Sequence, residues 1–351
     1  MKKMTKITMK DVAREAKVSN STVSLVLNNA PGISAETRER VWSIIKDLKY
    51  IPDAQARRLS SGRSHMVALV MPPWSAAFAD PYFLELMRGT LEAVRDKGYQ
   101  MLLEVSDQRF LDHKLWNDLF AGKRVDGLLI ATPYLDQHYL SELVKLGYPT
   151  ILVNGERTDL PELSFVGYND LHCGEEATTY LIRLGHRRIA HIAGAMNHAS
   201  AVNRLQGYKN AMHKAGLPFK SEDVVMGEYM PLEAREAVKV LLEKKTEDRP
   251  TAIFCANDTM AISAITYLQE NGYIIPRDFS IIGVDDTGGA TRITPALTTF
   301  RQDIFALARR AAELFIDSLE MKGTAGIIQD HIIMQLIERD SCAPPEEPRS
   351  R

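Results

Sequence analysis

Cysteine is scarce in this chain: three occur in 351 residues, Cys173, Cys255 and Cys342. Their number is odd and their spacing fits no metal motif, which excludes a disulfide framework and a cysteine-built zinc site and suits a reducing compartment. Long apolar runs are missing too. No stretch approaches the roughly 18 uninterrupted apolar residues of a membrane span, and the opening MKKMTKITMK offers no apolar core for a secretion signal. A cytoplasmic protein without a membrane partner is expected. The short signatures of common catalysts are also absent: there is no HExxH, no GxSxG and no GxxxxGK[ST]. MVALVMPPW reads as the first strand of an α/β fold, yet no glycine-rich phosphate loop follows it. The histidines are scattered, and His186 and His191 read as structural. Asp285 and Asp286 adjoin, but no further carboxylate or imidazole stands at ligand spacing. Neither enzyme activity nor a metal or cofactor is expected.

What is present is an uneven distribution of charge. Residues 1–65 carry 13 Lys and Arg against 6 Asp and Glu, a net of +7, and the chain as a whole carries −2, which leaves −9 for the remainder. A basic head on an acidic body points to a polyanion bound at one end only.

The head reads as three helices. Thr8 and Asp11 form a capping-box pair, and Val12, Ala13 and Ala16 continue as a helical apolar stripe. The short link Lys17-Val18-Ser19 leads to a second helix with Ser19 as its N-cap and Val23, Val26 and Leu27 facing inward. This is the spacing of a helix-turn-helix. Asn20, Ser21, Ser24 and Leu25 are left facing out, near the N-terminus of the helix that would read bases. Asn29-Ala30-Pro31-Gly32 breaks the pattern. Ser34 starts a third helix with Val41, Ile44, Ile45 and Leu48 as its stripe, and Tyr50-Ile51-Pro52 stops it.

From Met66 onward, short β-branched apolar runs alternate with amphipathic helical stretches: MVALVMP, MLLEVSD, VDGLLIATP, YPTILVN, RRIAHIAG, PTAIFCAND and DFSIIGVDD are the strands. Such alternation predicts parallel sheets with crossover helices. Ligands of open parallel sheets bind beyond the carboxyl ends of the strands. Asn154, Asn257-Asp258 and Asp285-Asp286 stand at such ends, although an aspartate there also serves as a helix N-cap, the expected role of Asp258.

Two long blocks resemble the lac repressor (LacI) family of bacterial regulators. The first is residues 7–64, with DVA, TVS, VLN, SxxTR, YxP and ARxL. The second runs through DPYF at 80–83, VDGLL at 125–129, LGHRRIAHIAG at 184–194, RxxGY at 204–208, AIFCANDTMAI at 252–262, FSIIGVDD at 279–286 and LTTFRQD at 297–303. The resemblance implies a small all-α helix-turn-helix head, residues 1–51, and a hinge helix or linker, 52–63. An α/β core of two Rossmann-like lobes of the periplasmic-binding-protein type I kind follows, 64–342. Lobe 1 would span about 64–166 and 304–327, and lobe 2 about 167–296 and 328–342, with crossings near 166–168, 296–304 and 325–330. A disordered tail, 343–351, would end the chain.

The DNA contacts implied are Thr8, Ser19, Asn20, Ser21, Thr22, Ser24, Leu25 and Asn28, with Ala56, Arg57 and Leu59 of the hinge. Leu59 would be an apolar wedge in the minor groove. Leu25 departs from the Arg or His of many members; it cannot make a bidentate bond to a base but can touch a thymine methyl. Effector contacts implied are Asp80, Tyr82, Phe83, Asn154, Tyr168, Arg204, Tyr229, Asn257, Asp285 and Gln302, with Trp74 nearby. Ala131 matches a further position but offers no polar contact. Planar Asp, Asn, Gln and Arg groups with an aromatic face suit a sugar. The expected protein is therefore a homodimeric repressor that binds a pseudo-palindromic operator, controlled by a sugar in the cleft. A repressor corepressed by a nucleobase is the alternative, and Arg204 reads equally as one half of a structural ion pair.

Overall fold

A computed structural model of the chain describes residues 7–27, 31–50, 63–73, 81–321 and 326–346. The positions proposed at Asn28, Ala56, Arg57, Leu59, Trp74 and Asp80 lie outside the described residues. The chain divides into two compact units, residues 1–65 and 66–351.

The first unit holds three helices, α1 (Met9–Glu15), α2 (Asn20–Leu27) and α3 (Ala35–Asp47). Asp11 accepts from the Thr8 N–H at 2.9 Å, the return half of a capping box. Ser19 caps α2 by accepting from the Thr22 N–H at 3.0 Å, and Ser34 caps α3 through the Thr37 N–H. Between α1 and α2, Lys17 takes a left-handed conformation, φ 53°. Val12, Ala16, Val23, Val26 and Val41 are fully buried, with Ala13, Ile45 and Tyr50 around them. Small residues on α1 let α2 approach closely. No comparable core would form if either helix turned its other face inward.

The second unit has two six-stranded sheets. In chain order its elements are β1 (Met66–Met71), α4 (Pro81–Asp96), β2 (Gln100–Val105), α5 (Gln108–Asp112), α6 (Leu115–Ala121), β3 (Gly127–Ala131), α7 (Tyr139–Leu146), β4 (Thr150–Val153) and β5 (Ser164–Tyr168). Then come α8 (Asp170–Arg183), β6 (Ile189–Ala193), α9 (Ala199–Lys214), β7 (Val224–Met226), α10 (Pro231–Leu242), β8 (Ala252–Cys255), α11 (Asp258–Glu270) and β9 (Ser280–Asp285). β10 (Thr298–Arg301), α12 (Ile304–Glu320), β11 (Gln329–Ile332) and β12 (Gln335–Ile337) complete it. The strand orders are β11-β5-β4-β3-β1-β2 and β12-β10-β9-β8-β6-β7. All pairs are parallel except β10 with β12. These are the two Rossmann-like lobes. β1, β3 and β4 are buried on both faces, as parallel strands under helices must be.

The chain crosses between lobes after β5, after β10 and between β11 and β12. The third crossing falls later than the 325–330 expected from sequence. β11 stays in register with β5 through Ile332 and Tyr168, so the chain cannot leave lobe 1 before residue 333. Ala343, expected to open the disordered tail, is instead held to lobe 2. Ala343 donates its N–H to the Ser280 hydroxyl at 3.0 Å, and its carbonyl lies 3.0 Å from His186 Nε2. His186 Nδ1 meets the Thr251 hydroxyl at 2.8 Å. His186 thus straps the C-terminal segment to lobe 2.

In lobe 2, α8 and α9 touch backbone to backbone at Gly174 and Gly207. A Cβ on Gly207 would lie 2.2 Å from the Leu171 carbonyl oxygen and 2.6 Å from the Glu175 nitrogen. Gly207→Ala must force the helices apart and is expected to cost about 1–3 kcal/mol, read as a lowered urea midpoint with an unchanged slope.

His191 is buried between Tyr208 and Phe254, with ring centroids 5.5 and 4.6 Å away. Burial pushes its pKa down to about 4. The unfolded chain, with an ordinary histidine near 6.5, binds the extra proton first. The favourable neutral form is complete above pH 6.5 and its contribution is lost as pH falls from there toward 4. His191→Phe, which keeps the stack but cannot titrate, should show a flatter loss of stability across that window; equal slopes for the two proteins would refute the assignment.

Candidate functional site

The helix-turn-helix face is polar and exposed where it would meet DNA. Ser19, Asn20 and Ser21 are exposed, and Leu25 stands 42% exposed on α2 with no core to fill. Ser24 and Thr22 are half-buried. Several hydroxyls expected to contact DNA have local bonds. Thr8 Oγ1 donates to the Asp11 carboxylate at 2.6 Å, and the Ser19 hydroxyl lies 2.6 Å from that of Ser21 and 2.9 Å from that of Thr22. This network orders the first turn of α2. It leaves Asn20 and Leu25 as the freest side chains for base contact.

Between the lobes lies a cavity of about 580 Å³, within the range of small-molecule sites. The nine described residues of the ten effector positions expected from sequence all line it: Tyr82, Phe83, Asn154 and Tyr168 from lobe 1 or its edge, and Arg204, Tyr229, Asn257, Asp285 and Gln302 from lobe 2 or its edge. Ala131 is instead packed in the lobe 1 core. The strand ends explain the convergence, because both sheets present their carboxyl ends to the same space.

Shared walls do not mean shared roles. Arg204 is 3% exposed. Its Nε and Nη2 reach Asp170 Oδ1 at 2.8 and 2.7 Å, and its Nη1 donates to the Ala256 carbonyl at 2.5 Å. Burial weakens the guanidinium's proton affinity, but Asp170 and then its other acidic neighbours, Asp285 among them, together more than offset it, so Arg204 stays charged. Arg204 is thus the buried half of an ion pair, and three of its donor contacts are already made by protein. Asn154 is similarly engaged. Its Nδ2 donates to the Tyr82 hydroxyl at 2.6 Å, and its Oδ1 faces the Tyr168 N–H at 3.5 Å. Burial raises the Tyr82 phenol well above its ordinary pKa and keeps it a neutral partner. Asn257, not Asp258, is the N-cap of α11, accepting from the Met260 N–H at 2.9 Å. Asp258 lies deeper and accepts from the Thr287 N–H and the Thr299 hydroxyl at 2.9 and 2.5 Å.

Asp285 and Gln302 are bonded to each other on the cleft wall. Asp285 and Asp286 end β9 with φ of 128° and 57°, a strained pair of left-handed residues. The twist separates their fates. Asp286 pairs with Arg301 and Arg339 at 2.7 and 2.5 Å. Asp285 accepts from Gln302 Nε2 at 3.0 Å, which leaves the buried Gln302 Oε1 without a partner among the described residues.

The sequence reading missed an aromatic wall. Tyr134 and His198 meet edge to face at 4.7 Å, and His198 meets Tyr229 likewise at 5.8 Å. Tyr229 lies flat over Gly194, where any Cβ would strike its ring at 2.2 Å, and its hydroxyl bonds Ser200 at 2.9 Å. Burial holds the Tyr229 phenol up to about 12 and His198 down to about 4, so both are neutral. Tyr134 and His198 also form a backbone bridge between the lobes, with the Leu135 N–H donating to the Asn197 carbonyl at 2.7 Å. Arg157 holds that loop from below, paired with Asp159 at 2.8 Å and near the Tyr134 and Gln137 carbonyls at 3.4 Å. The rule that ligands gather beyond strand ends could have found Tyr134, three residues past β3, and His198, five past β6.

A helix-turn-helix head joined to a two-lobed core with a cleft at its strand ends defines a class: DNA-binding regulators that carry a ligand-binding domain. The comparisons with known proteins narrow it. Residues 8–53 match the bacterial regulatory proteins of the lacI family, and residues 178–342 match the periplasmic binding protein-like domain. The HTH-type transcriptional repressor PurR of Proteus mirabilis is 35% identical over 340 residues, covering 96% of this chain and 97% of that protein. The structure of a transcriptional regulator CelR–cellobiose complex aligns with TM-score 0.71 at 30% identity, over 95% of this chain and 99% of its own. The lac repressor dimer bound to operator and the anti-inducer ONPF shares the fold, with TM-score 0.80 at 24% identity over 97% and 100% of the two chains. The chain belongs to the lacI family of bacterial regulatory proteins and is a DNA-binding transcriptional regulator. No helix among the described residues is long and apolar enough to cross a membrane.

The Arg204–Asp170 pair yields a prediction. Arg204→Ala leaves a buried carboxylate uncompensated and should destabilise the core by about 3–5 kcal/mol, seen as a lower midpoint in urea. A stability within about 0.5 kcal/mol of the parent would show the pair to be dispensable.

Proposed function

We propose that this protein represses carbohydrate-utilisation genes in the cytoplasm, as a homodimer on a pseudo-palindromic operator, and that a sugar in the interlobe cleft controls its hold on DNA. The observation that carries the reading is the composition of the cleft: a forked polar pair, Asp285 and Gln302, set against the neutral aromatic wall of Tyr229, His198 and Tyr134. Adjacent sugar hydroxyls both donate and accept, which suits a carboxylate beside an amide oxygen. The C–H face of a pyranose fits an aromatic ring. Arg204 is bound to Asp170, so among the described residues the cleft offers no uncommitted guanidinium to a phosphate. The CelR–cellobiose complex supports a sugar here. A nucleobase corepressor is the second reading, favoured by the 35% identity to PurR and by the same aromatic wall.

In this mechanism Asn20, Ser21 and Leu25 meet the major groove, and Leu59 wedges the minor groove between paired hinges. Sugar binding alters the angle between lobes and with it the spacing of the two heads. A coupling of about 1–3 kcal/mol suffices. Titration of the protein with cellobiose, glucose and hypoxanthine, followed by operator gel shifts, tests the reading. A sugar that binds and releases operator supports it; hypoxanthine binding that tightens operator overturns it for the nucleobase alternative. Asp285→Ala should abolish the sugar response and leave operator affinity within about threefold, since Asp285 lines the cleft and accepts there from Gln302 Nε2. A response retained in Asp285→Ala would remove Asp285 from the site.

A further inference from the structure

Asn257 and Thr259 line the cleft, and Asp258 between them is fully buried behind its wall. The Asp258 carboxylate is answered by groups that carry no charge, the Thr287 N–H at 2.9 Å and the Thr299 hydroxyl at 2.5 Å. Burial pushes its pKa up from the carboxylate range, these two hydrogen bonds pull it back in part, and the neighbouring Asp286 pushes it up again. Arg339, which acts on it in the opposite sense, is itself bonded to Asp286. A buried carboxylate with neutral partners costs stability. Proteins break such local rules chiefly at functional sites.

The place of this carboxylate is specific. β9 and β10 run side by side with Gly283 opposite Thr299 and Asp285 opposite Arg301. Asp258 Oδ1 sits over the first of these pairs. It accepts from Thr299, and a Cβ on Gly283 would collide with it. Asp258 Oδ2 reaches past the end of β9 to the Thr287 N–H, with the Thr287 hydroxyl 3.5 Å away. One side chain therefore holds β9 before and after the strained pair Asp285 and Asp286. Such a pair persists only where its surroundings over-determine it. The turn sends Asp286 to Arg301 and Arg339, and Asp285 to the cleft wall. There the Asp285 carbonyl accepts from the Gln302 N–H at 3.2 Å and its carboxylate from Gln302 Nε2 at 3.0 Å.

We propose that Asp258 is the positioning residue of the effector site: by holding the Thr287 N–H, its carboxylate keeps the turn in the form that presents Asp285 to the cleft. Asp258 touches no ligand itself. It acts through Asp285 and, by way of β10, through Gln302. The placement of Asp285 stands whichever ligand the cleft takes. Its effect on sugar affinity rests on the sugar reading of the cleft given above.

The test compares crystal structures of the full chain and of three variants at residues 285–287. Asp258→Leu has similar size and no acceptor, Asp258→Asn keeps an acceptor for the Thr287 N–H, and Thr299→Val removes only the other bond. In Asp258→Leu the turn is expected to change and Asp285 to lose its bond to Gln302 Nε2. In Asp258→Asn and Thr299→Val that bond should remain. Asp285 still bonded to Gln302 in Asp258→Leu overturns the proposal, and so does its release in all three variants. Should Asp258→Leu fail to fold, the smaller Asp258→Val replaces it under the same criteria. Calorimetric titration with cellobiose gives the second readout. Asp258→Leu should bind about tenfold more weakly and Asp258→Asn within about threefold of the parent. Operator affinity should stay within about threefold in both, a separation that a merely structural loss would not show. Equal cellobiose affinity in parent and Asp258→Leu overturns the role in effector binding. A parent that binds hypoxanthine in place of cellobiose overturns the sugar reading and not this one, for which the same comparison is then made with hypoxanthine.

Discussion

The bond between Arg204 and Asp170 is the constraint on which the cleft depends. Asp170 opens α8 directly after the first crossing from lobe 1, Arg204 sits on α9, and the Ala256 carbonyl ends β8. One guanidinium therefore joins a crossing, a helix and a strand end at the floor of the cavity. Its charge is fully buried, which is tolerable only because the carboxylate and the carbonyl answer its donors. Once that floor is fixed, the residues around it have fixed distances to one another. Asn257 caps α11 next to it, and Asp285 and Gln302 face it from the neighbouring strands.

Around this floor the cleft separates two kinds of polar group. Asn154, Tyr82 and Asn257 hold the protein to itself and present edges that are already bonded. Gln302 keeps an oxygen without a partner among the described residues, and Tyr229 and His198 give neutral ring surfaces. A site built in this way discriminates through a small number of contacts. The rest of the wall excludes water and sets the shape.

Much of this was legible in the residues. The head declares itself through caps and periodicity, because Thr8, Ser19 and Ser34 act on residues three away and Val12, Val23, Val26 and Val41 repeat at helical spacing. The strands of both lobes are legible because burial on two faces demands continuous β-branched runs. Partnership across the fold is not legible. Whether Arg204 faces a ligand or Asp170 depends on an approach of two helices made possible by Gly174 and Gly207, and no local pattern encodes it. The Tyr134–His198 bridge joins loops far apart in sequence, and Asp258 looks like a cap until Asn257 takes that role. The third crossing shifted because register with β5, a long-range property, holds β11 to its final residue.

The alternation of the two sheets along the chain bears on how the protein is made. Lobe 1 lacks an edge strand until β11 arrives, and lobe 2 lacks one until β12, with His186 waiting for the carbonyl of Ala343. Both sheets are finished by residues from the final tenth of the chain. A chain lacking β11 and β12 can fold its DNA-binding head but can complete neither sheet, since domains fold as units. The DNA-binding head matures independently of the core, and the two lobes mature together.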